Sequence, residues 1–523
     1  MEQPDSNNTT LIVSACVIVG VTTSYLLTRN RKKKPWPAVK GALPIIGNLH
    51  QVKSPGNLSN KMKEWADEYS KEKGCFEVDL AGTKYVAVCS EERMKEILKH
   101  RPFKIVRDKK STHATKSVGA DGIFGAEHQQ WKNDRRLLAP SFNHAQIRDY
   151  LPHIRLVLGR LLHKWKTNCM VDGKVVPFAI NDDLSCYAMD TTALTTLGQD
   201  FDTLSSEGEK VMDAENILTI LQGVITRTLS PIAYWQIPII GQHLDGIGSR
   251  VAKLKKSIES IVDAVEVEGG SNTLVKKVVS ECKTSDTSKS DRDRIMGHLL
   301  TMFFAGTDSS MSTTCSVLQK LCEDETNLQN ELLEEVRKNL PEDLSTVTLE
   351  DLSADNLPKM KSFLCEVHRY YGAFPMLMLH AEVDIPFCGT VLPKGTQIMT
   401  MNRYVGINPY CKPKDIPLGP NGESVTEFCP RRFLKLDEQG QVMGVELPPR
   451  TSTSFLSFGH GRRVCLGRAF SEAVLLYTLA SLLKTFEMKL APDHEPIGRE
   501  LTLAEVPDID VRIAFTPREG IAT

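Results

Sequence analysis

Disulfide chemistry, net charge and internal repetition are all missing from this chain. Thirteen cysteines in 523 residues fall far below the roughly 8–10% of a disulfide scaffold, and an odd number cannot pair completely. Most are expected to be buried, reduced thiols in a cytosolic environment. Lys+Arg 64 against Asp+Glu 65 leaves a formal charge of -1, so nothing in the balance points to nucleic acid, and any basic patch must be local. No G-x-G-x-x-G lies between a strand and a helix, and no flavin or iron–sulfur segment is found. Redox chemistry would therefore draw its electrons from elsewhere. No repeat of fixed period is apparent.

Long apolar runs are equally scarce, with one exception. Residues 11–27 read LIVSACVIVGVTTSYLL without a charge, and as a helix they span about 26 Å, near the short end of a bilayer crossing. Glu2 and Asp5 precede the run and RNRKKK follows it, the reverse of a cleaved signal peptide, so the positive-inside rule keeps the bulk of the chain cytosolic. The expected organisation is a short non-cytosolic N-terminus (1–8), a transmembrane anchor (9–28), a basic stop with a proline-rich connector (29–50) and one catalytic domain (51–523). Pro35, Pro37 and Pro44 stiffen the connector, which would set the height and angle of the domain over the bilayer.

Beyond residue 50 the pattern is mainly helical. Apolar spacing of three to four residues predicts helices over 147–166, 209–229, 250–267, 292–322, 326–339, 360–371 and 471–485. Strand-like pieces are short, at 85–89, within 383–399 and at 510–515. The fold class is mainly α with a small β portion, and the polar stretches 268–290 and 412–426 read as surface connections.

Residues 458–470, FGHGRRVCLGRAF, hold three glycines, three arginines and one cysteine. Glycine spacing lets backbone approach a flat ligand, while a thiolate just before a helix is favoured by the dipole and the free N–H groups. Arg462, Arg463 and Arg468 add positive charge around Cys465.

Phe458, Gly459, Gly461, Arg463, Cys465 and Gly467 match F-G-x-G-x-R-x-C-x-G at every spacing, and the stretch resembles the haem-binding loop of the cytochrome P-450 family. Four other pieces are similar to family motifs, in family order. They are Trp131 and Arg135 in WKNDRR, the oxygen-activating AGTDSS at 305–310, E-x-x-R at Glu366 and Arg369, and FCPRRF at 428–433 with Arg432. The resemblance covers essentially the whole chain and implies a single large haem domain, since residues from Trp131 to Cys465 must meet at one cofactor.

What the resemblance implies follows residue by residue. Cys465 would be the axial thiolate ligand of haem b iron. Arg463, Arg135, Trp131 and His380 would bind the propionates, and Phe458 would shield the thiolate side. Glu366, Arg369 and Arg432 would form a buried structural network. At the oxygen site, Ala305 and Gly306 would let the helix open, Asp308 and Ser309 would be the acid and alcohol pair, and Thr307 a substitute hydroxyl. Many relatives carry Thr where this chain has Ser309; Ser keeps the hydroxyl and loses the methyl that restricts its rotamer.

An apolar substrate pocket is expected from Phe103, Phe124, Met302, Phe303, Phe374, Leu377 and Leu379, with the apolar segment 217–240 either packed in the core or dipping into lipid. The implied activity is monooxygenation of a steroid, terpenoid, fatty-acid-like or foreign compound at the endoplasmic reticulum. Electrons would come from NADPH through a separate flavoprotein reductase docked near Lys132, Arg136 and Arg462. The rival readings are a haem-thiolate isomerase needing no external electrons and a haem-binding sensor without turnover.

Overall fold

The computed structural model describes residues 34–205, 214–237, 241, 243–268, 274–283, 290–323, 327–411 and 413–518. The expected anchor, 9–28, lies outside the described residues; among those described, no helix is long and apolar enough to cross a membrane. The helices that matter to the site are α1 (Leu58–Tyr69), α2 (Glu91–Leu98), α3 (Lys109–Ser117), α4 (His128–Leu138), α5 (His144–Asn168), α6 (Asn181–Thr192), α7 (Ala214–Leu229), α8 (Ile247–Glu268), α9 (Leu274–Lys283), α10 (Ser290–Glu323), α11 (Leu328–Asn339), α12 (Pro358–Tyr370), α13 (Tyr404–Ile407) and α14 (Arg468–Thr485). Six of the seven helices expected from periodicity fall within a few residues of those observed; for 209–229, residues 209–213 lie outside the description. Helices α1 to α4, α6, α9 and α13 were not anticipated, and α9 lies inside the stretch 268–290 expected as a surface connection, where Leu274, Val275, Val278 and Val279 are buried in the core. The first five are short and polar on much of their surface, which dilutes the apolar stripe.

The strands are β1 (Cys75–Leu80), β2 (Thr83–Val88), β3 (Ile105–Arg107), β4 (Phe178–Ala179), β5 (Leu377–Ala381), β6 (Gln397–Thr400), β7 (Phe486–Leu490), β8 (Arg499–Leu501), β9 (Glu505–Pro507) and β10 (Arg512–Pro517), besides several two-stranded hairpins. Five of them form one sheet in the order β1-β2-β6-β5-β3, parallel only between β2 and β6. Period-two alternation gives it two buried faces. Val86, Val88, Leu379, Ala381 and Ile398 pack on one side, with Phe76, Val78, Tyr85, Ala87 and Met399 on the other. The proline-rich connector lies along the free edge of β1. Val39 N donates to Glu77 O at 2.9 Å and Glu77 N to Pro37 O at 2.8 Å, while Trp36 and Val39 are buried on opposite faces of the sheet. This covers an edge strand that would otherwise present unpaired backbone.

The helical body has two apolar cores. One gathers α5, α6, α11, α12, α14 and the β7–β10 pair; the other gathers α3, α7, α8 and α9. Helix α10 crosses both. Leu299, Leu300, Phe303 and Phe304 belong to the second core, and Met311, Cys315, Leu318 and Leu321 to the first. Small hydroxylated residues fill the remainder of this helix, and their burial is tolerated because they bond back to carbonyls four residues earlier, as in Thr301 to Gly297, Thr313 to Ser309 and Ser316 to Ser312.

Candidate active site

The stretch 305–310 falls at the seam where α10 passes from one core to the other. The cysteine loop reaches the same seam, for Leu466 packs on the α7–α8 core while Ala469 and Phe470 pack on the other. Residues more than 150 positions apart in sequence are thus brought to one junction. Ala305 is exposed there among largely buried residues, and Cys465 is exposed among half-buried ones.

The loop is closed by Cys465 N donating to Phe458 O at 2.8 Å. Gly459 and Gly461 take left-handed φ values of 78° and 59°, conformations that side chains disfavour. A Cβ on Gly467 would stand 3.9 Å from the Cys465 sulfur. Although one side of it is open, Cys465 is crowded by surrounding protein, and that desolvation pushes its thiol up, while the N–H groups of Gly467 and Arg468 together with the charges of Arg135 and Arg468 work against the rise. The phenyl ring of Phe458 sits between the His368 ring, 4.7 Å away, and the Arg468 guanidinium, 5.2 Å away. Arg135 does not stand free to meet a ligand with every donor, because its Nη1 donates to Val464 O at 2.9 Å and so holds the loop.

Beside the loop is a cluster of cations that the sequence reading only partly identified. Arg463 lies over the Trp131 ring at 4.6 Å, pairs with Glu127 and donates to Ala126 O at 2.7 Å. Arg101 and Arg107 join it, and Glu127 also accepts from Arg107 N at 2.9 Å. His380 is the cross-strand neighbour of Val106, and its Nδ1 is 2.9 Å from Arg107 O. Nε and Nη2 of Arg101, Nε of Arg107 and Nε of Arg463 are out of solvent contact and lack partners among the described residues. Burial lowers all three guanidinium pKa values, Arg101 to about 10, and repulsion adds to it, from Arg463 on Arg101, from Arg101 and Arg463 on Arg107, and from Arg135 on Arg463. Three cations share one carboxylate. The cluster is therefore short of two negative charges, which suits a dicarboxylate ligand.

On α10, Ser309 Oγ donates to Ala305 O at 2.7 Å, which places the hydroxyl on the face where Ala305 is exposed. The helix is continuous from Ser290 to Glu323, so the expected opening at Ala305 and Gly306 is not present. Gly306 serves packing instead, since a Cβ there would come within 2.7 Å of the Thr192 side chain on α6. Thr307 lies two residues from Ser309 and so on the opposite face; it is buried with an unpartnered Oγ1 and is not placed as a substitute hydroxyl. Asp308 is also buried. Its carboxylate accepts from Ala504 N at 2.5 Å and from Thr502 Oγ1 at 3.4 Å, so it holds the turn between β8 and β9. Burial raises its pKa from 3.8 to about 6, against the pull of those two bonds.

A family model described as Cytochrome P450 matches residues 37–507. The chain belongs to the cytochrome P450 family. It is similar to cytochrome P450 monooxygenase sphH of Aspergillus fumigatus, 23% identical over 513 residues covering 93% of this chain and 89% of that one. Cytochrome P450 714B2 of Oryza sativa subsp. japonica is 23% identical, covering 79% of this chain and 70% of that one. A bifunctional cytochrome P450/NADPH–P450 reductase of Alternaria alternata is 22% identical over 488 residues, 91% of this chain and 40% of that one. The chain is an enzyme of the P450 monooxygenase class, and the family implies haem. The unpaired N–H groups of Arg101, Arg107 and Arg463 fit that cofactor, whose two propionates carry the charges the cluster lacks.

Behind the P450 loop lies a buried ion network. Arg369 Nε and Nη2 donate to Glu366 at 2.7 and 2.6 Å, and Arg432 Nε lies 3.1 and 3.2 Å from the same carboxylate. Every further donor of the two arginines meets a carbonyl: Gly406, Val425 and Glu427 for Arg369, and Pro417, Glu423, Ser424 and Glu427 for Arg432. The network staples the irregular 406–432 region to α12.

Pocket residues expected from the sequence divide. Met302 is half-buried at the edge of the α7–α8 core, in the company of Ile123, Leu466 and Leu503. Phe374 and Leu377 are half-buried. Phe303 instead stacks edge-on with Phe201 inside the core at 6.1 Å, and Leu379 points into the sheet because strand alternation turns it with Leu377 and Ala381. Phe103 is 41% exposed and edge-on to Trp131. Phe124 faces the Arg107 guanidinium at 3.5 Å, so both aromatics belong to the cation cluster and not to an apolar pocket.

Proposed function

We propose that this P450 inserts one oxygen atom from O2 into an apolar small molecule, taking electrons from NADPH through a flavoprotein reductase. The observation that carries the reading is the Cys465 cradle: an accessible thiol, facing two backbone N–H groups at a helix start, at the seam that also exposes Ala305. In this reading Cys465 would hold the haem iron through its sulfur, and haem, when bound, would supply the activation of dioxygen. Arg463, Arg107 and Arg101, with Trp131, His380 and Arg135 around them, hold the propionates. Phe458, packed between His368 and Arg468, limits water on the thiolate side. Ser309 positions a hydroxyl for proton delivery on the exposed face of α10, and Ala305 leaves room beside it. Asp308 shapes the turn carrying Leu503 as part of the substrate wall.

The Alternaria relative's name joins a P450 to its NADPH-dependent reductase, which supports the proposed electron source. Lys132, Arg136 and Arg462 are exposed near the cysteine loop and offer a basic face to such a partner. We place the chain at a membrane, most simply the endoplasmic reticulum, through the apolar run at 11–27. The segment 217–240 supports this at its tip alone. Ile217, Ile220, Leu221 and Val224 are buried in the core, while Ile232 and Ile237 are 68% and 46% exposed.

The test is spectral and then catalytic. The reduced protein with carbon monoxide should show the thiolate-type band, and Cys465→Ser should lose it. With reductase and NADPH, a panel of apolar compounds should yield a product containing one added oxygen. Rearranged product without NADPH would favour an isomerase, and absence of haem in the unmutated protein would end the proposal.

A further inference from the structure

Cys75 and Cys388 stand more than 300 residues apart in sequence, and both belong to the core on one face of the five-stranded sheet. Cys75 opens β1 and is fully buried, Cys388 is half-buried, and both thiols are free. Helix α2 braces the two from one side. Arg93 Nε donates to Lys73 O at 3.2 Å, two residues before Cys75, and Arg93 pairs with Glu96, whose Oε2 accepts from Cys388 N at 2.9 Å. One ion pair therefore spans the start of β1 and the hairpin that carries Cys388. The thiol of Cys388 comes within hydrogen-bonding reach of the Cys75 sulfur. Cys89, one residue past β2, is no rival, because strand alternation turns it into the opposite core.

The turn gives no local reason for a cysteine. Phe387 pairs with Thr390 across a two-residue loop, and Cys388 and Gly389 both take positive φ, 52° and 72°. Such a loop favours Asn-Gly or Gly-Gly, and most side chains disfavour it. Cys388 also sits beside a guanidinium, since Arg93 feels the charge of its thiolate, with Glu92 and Glu96 as the acidic groups on the same helix. Burial, and then Cys388 itself, push the Cys75 thiol up, so the half-buried Cys388 is the one that attacks. Next to it, Phe387 meets the Trp36 ring edge-on at 5.6 Å, which brings the proline-rich connector to the same spot.

We propose that Cys75 and Cys388 are a reversible redox pair, oxidised by a glutathione-type disulfide to a bond that staples β1 to the hairpin at 385–392. The Cys388 thiolate attacks one sulfur of glutathione disulfide, forming a mixed disulfide and releasing one glutathione thiolate, which takes up the proton that Cys388 gave. Cys75 then loses its proton, and its sulfur attacks that of Cys388 and expels the second glutathione, which takes that proton. Two protein thiols are oxidised, and one glutathione disulfide is reduced to two thiols. The inference goes beyond the P450 reading and does not require bound haem. Closing a loop of more than 300 residues constrains the unfolded chain, so the oxidised form is the more stable one.

In the experiment the full-length protein is incubated with glutathione disulfide, quenched with N-ethylmaleimide and digested, while a second portion is returned to dithiothreitol before the quench. Mass spectrometry should find the peptides holding Cys75 and Cys388 joined, two hydrogens lighter than their sum, and dithiothreitol should part them. The thermal midpoint of the oxidised sample should rise by roughly 5 °C and fall back on reduction. Cys388→Asn, which suits the turn, should show neither the linkage nor the rise. Cys75→Ala, which leaves the turn untouched, should likewise lose both. Oxidation that leaves Cys388 alkylated or merely glutathionylated, a linkage to any other cysteine, or the same rise in Cys388→Asn would overturn the pair.

Discussion

Replacing Asp308 by asparagine leaves an acceptor for the β8–β9 turn and removes the charge. In the parent, burial keeps this carboxyl at about 6 instead of its ordinary 3.8, so ionising it in the native state costs about 3 kcal/mol relative to the unfolded chain, at 1.36 kcal/mol per tenfold. The folded group binds its proton more tightly than the unfolded one. Its contribution is therefore fully present below pH 3.8, declines as pH rises through 6 and is absent above. Asparagine keeps an oxygen to accept from Ala504 N, which now meets the carboxylate at 2.5 Å, and removes the ionisation. Asp308→Asn should consequently gain on the parent as pH rises, with the difference widening by about 2 kcal/mol between pH 4.5 and 7.5. Thermal melts of both haem-loaded proteins at the two pH values would read this as a gap in Tm that opens with pH. A gap of equal size at both would refute the reasoning, because the buried carboxyl would then carry no linked proton.

Ser309→Ala should uncouple NADPH use from product, whereas Thr307→Val, which deletes a buried unpaired hydroxyl, should leave coupling alone and raise stability by about 1 kcal/mol; peroxide release and Tm decide between them. Arg432→Met takes a guanidinium donor from four carbonyls, of which Glu427 O keeps that of Arg369, and leaves Glu366 with one arginine, an injury of about 3–5 kcal/mol or more against a total stability of about 5–15. It should abolish recovery of haem-loaded protein, and an Arg432→Met protein melting within a few degrees of the parent would contradict the network's role. Arg107→Gln removes a partly unsatisfied buried cation, so the haem-free protein should be no less stable while haem transfer to apomyoglobin quickens roughly tenfold.

The motif-bearing elements were legible because their chemistry is local. A glycine-spaced cysteine at a helix start, E-x-x-R at helical spacing and a long helix rich in small hydroxyls each announce themselves within a dozen residues. Where neighbours distant in sequence decide, the reading failed. Phe303 reads as a pocket residue by its place beside Met302, yet the 100° turn between adjacent helical residues sends it to Phe201. Leu379 reads the same way until β5 finds its register against Gln397–Thr400 and turns it into the sheet. Gly306 looks like an oxygen cleft and is a contact with Thr192.

Arg101 and Arg107 carry the larger lesson. In sequence they are two arginines, one four residues before a short strand and one at its end, and surface cations usually look just so. Only the sheet shows otherwise, by pairing β3 with β5 and carrying Arg107 beside His380, while Arg463 arrives from the far end of the chain to share Glu127. An excess of buried positive charge is a cost the polypeptide does not recover by itself. It is recovered when an anion of matching charge enters. The stability of the cysteine loop and the retention of its cofactor are therefore coupled through Arg463, which touches the loop, the Trp131 ring and the carbonyl of Ala126 at once.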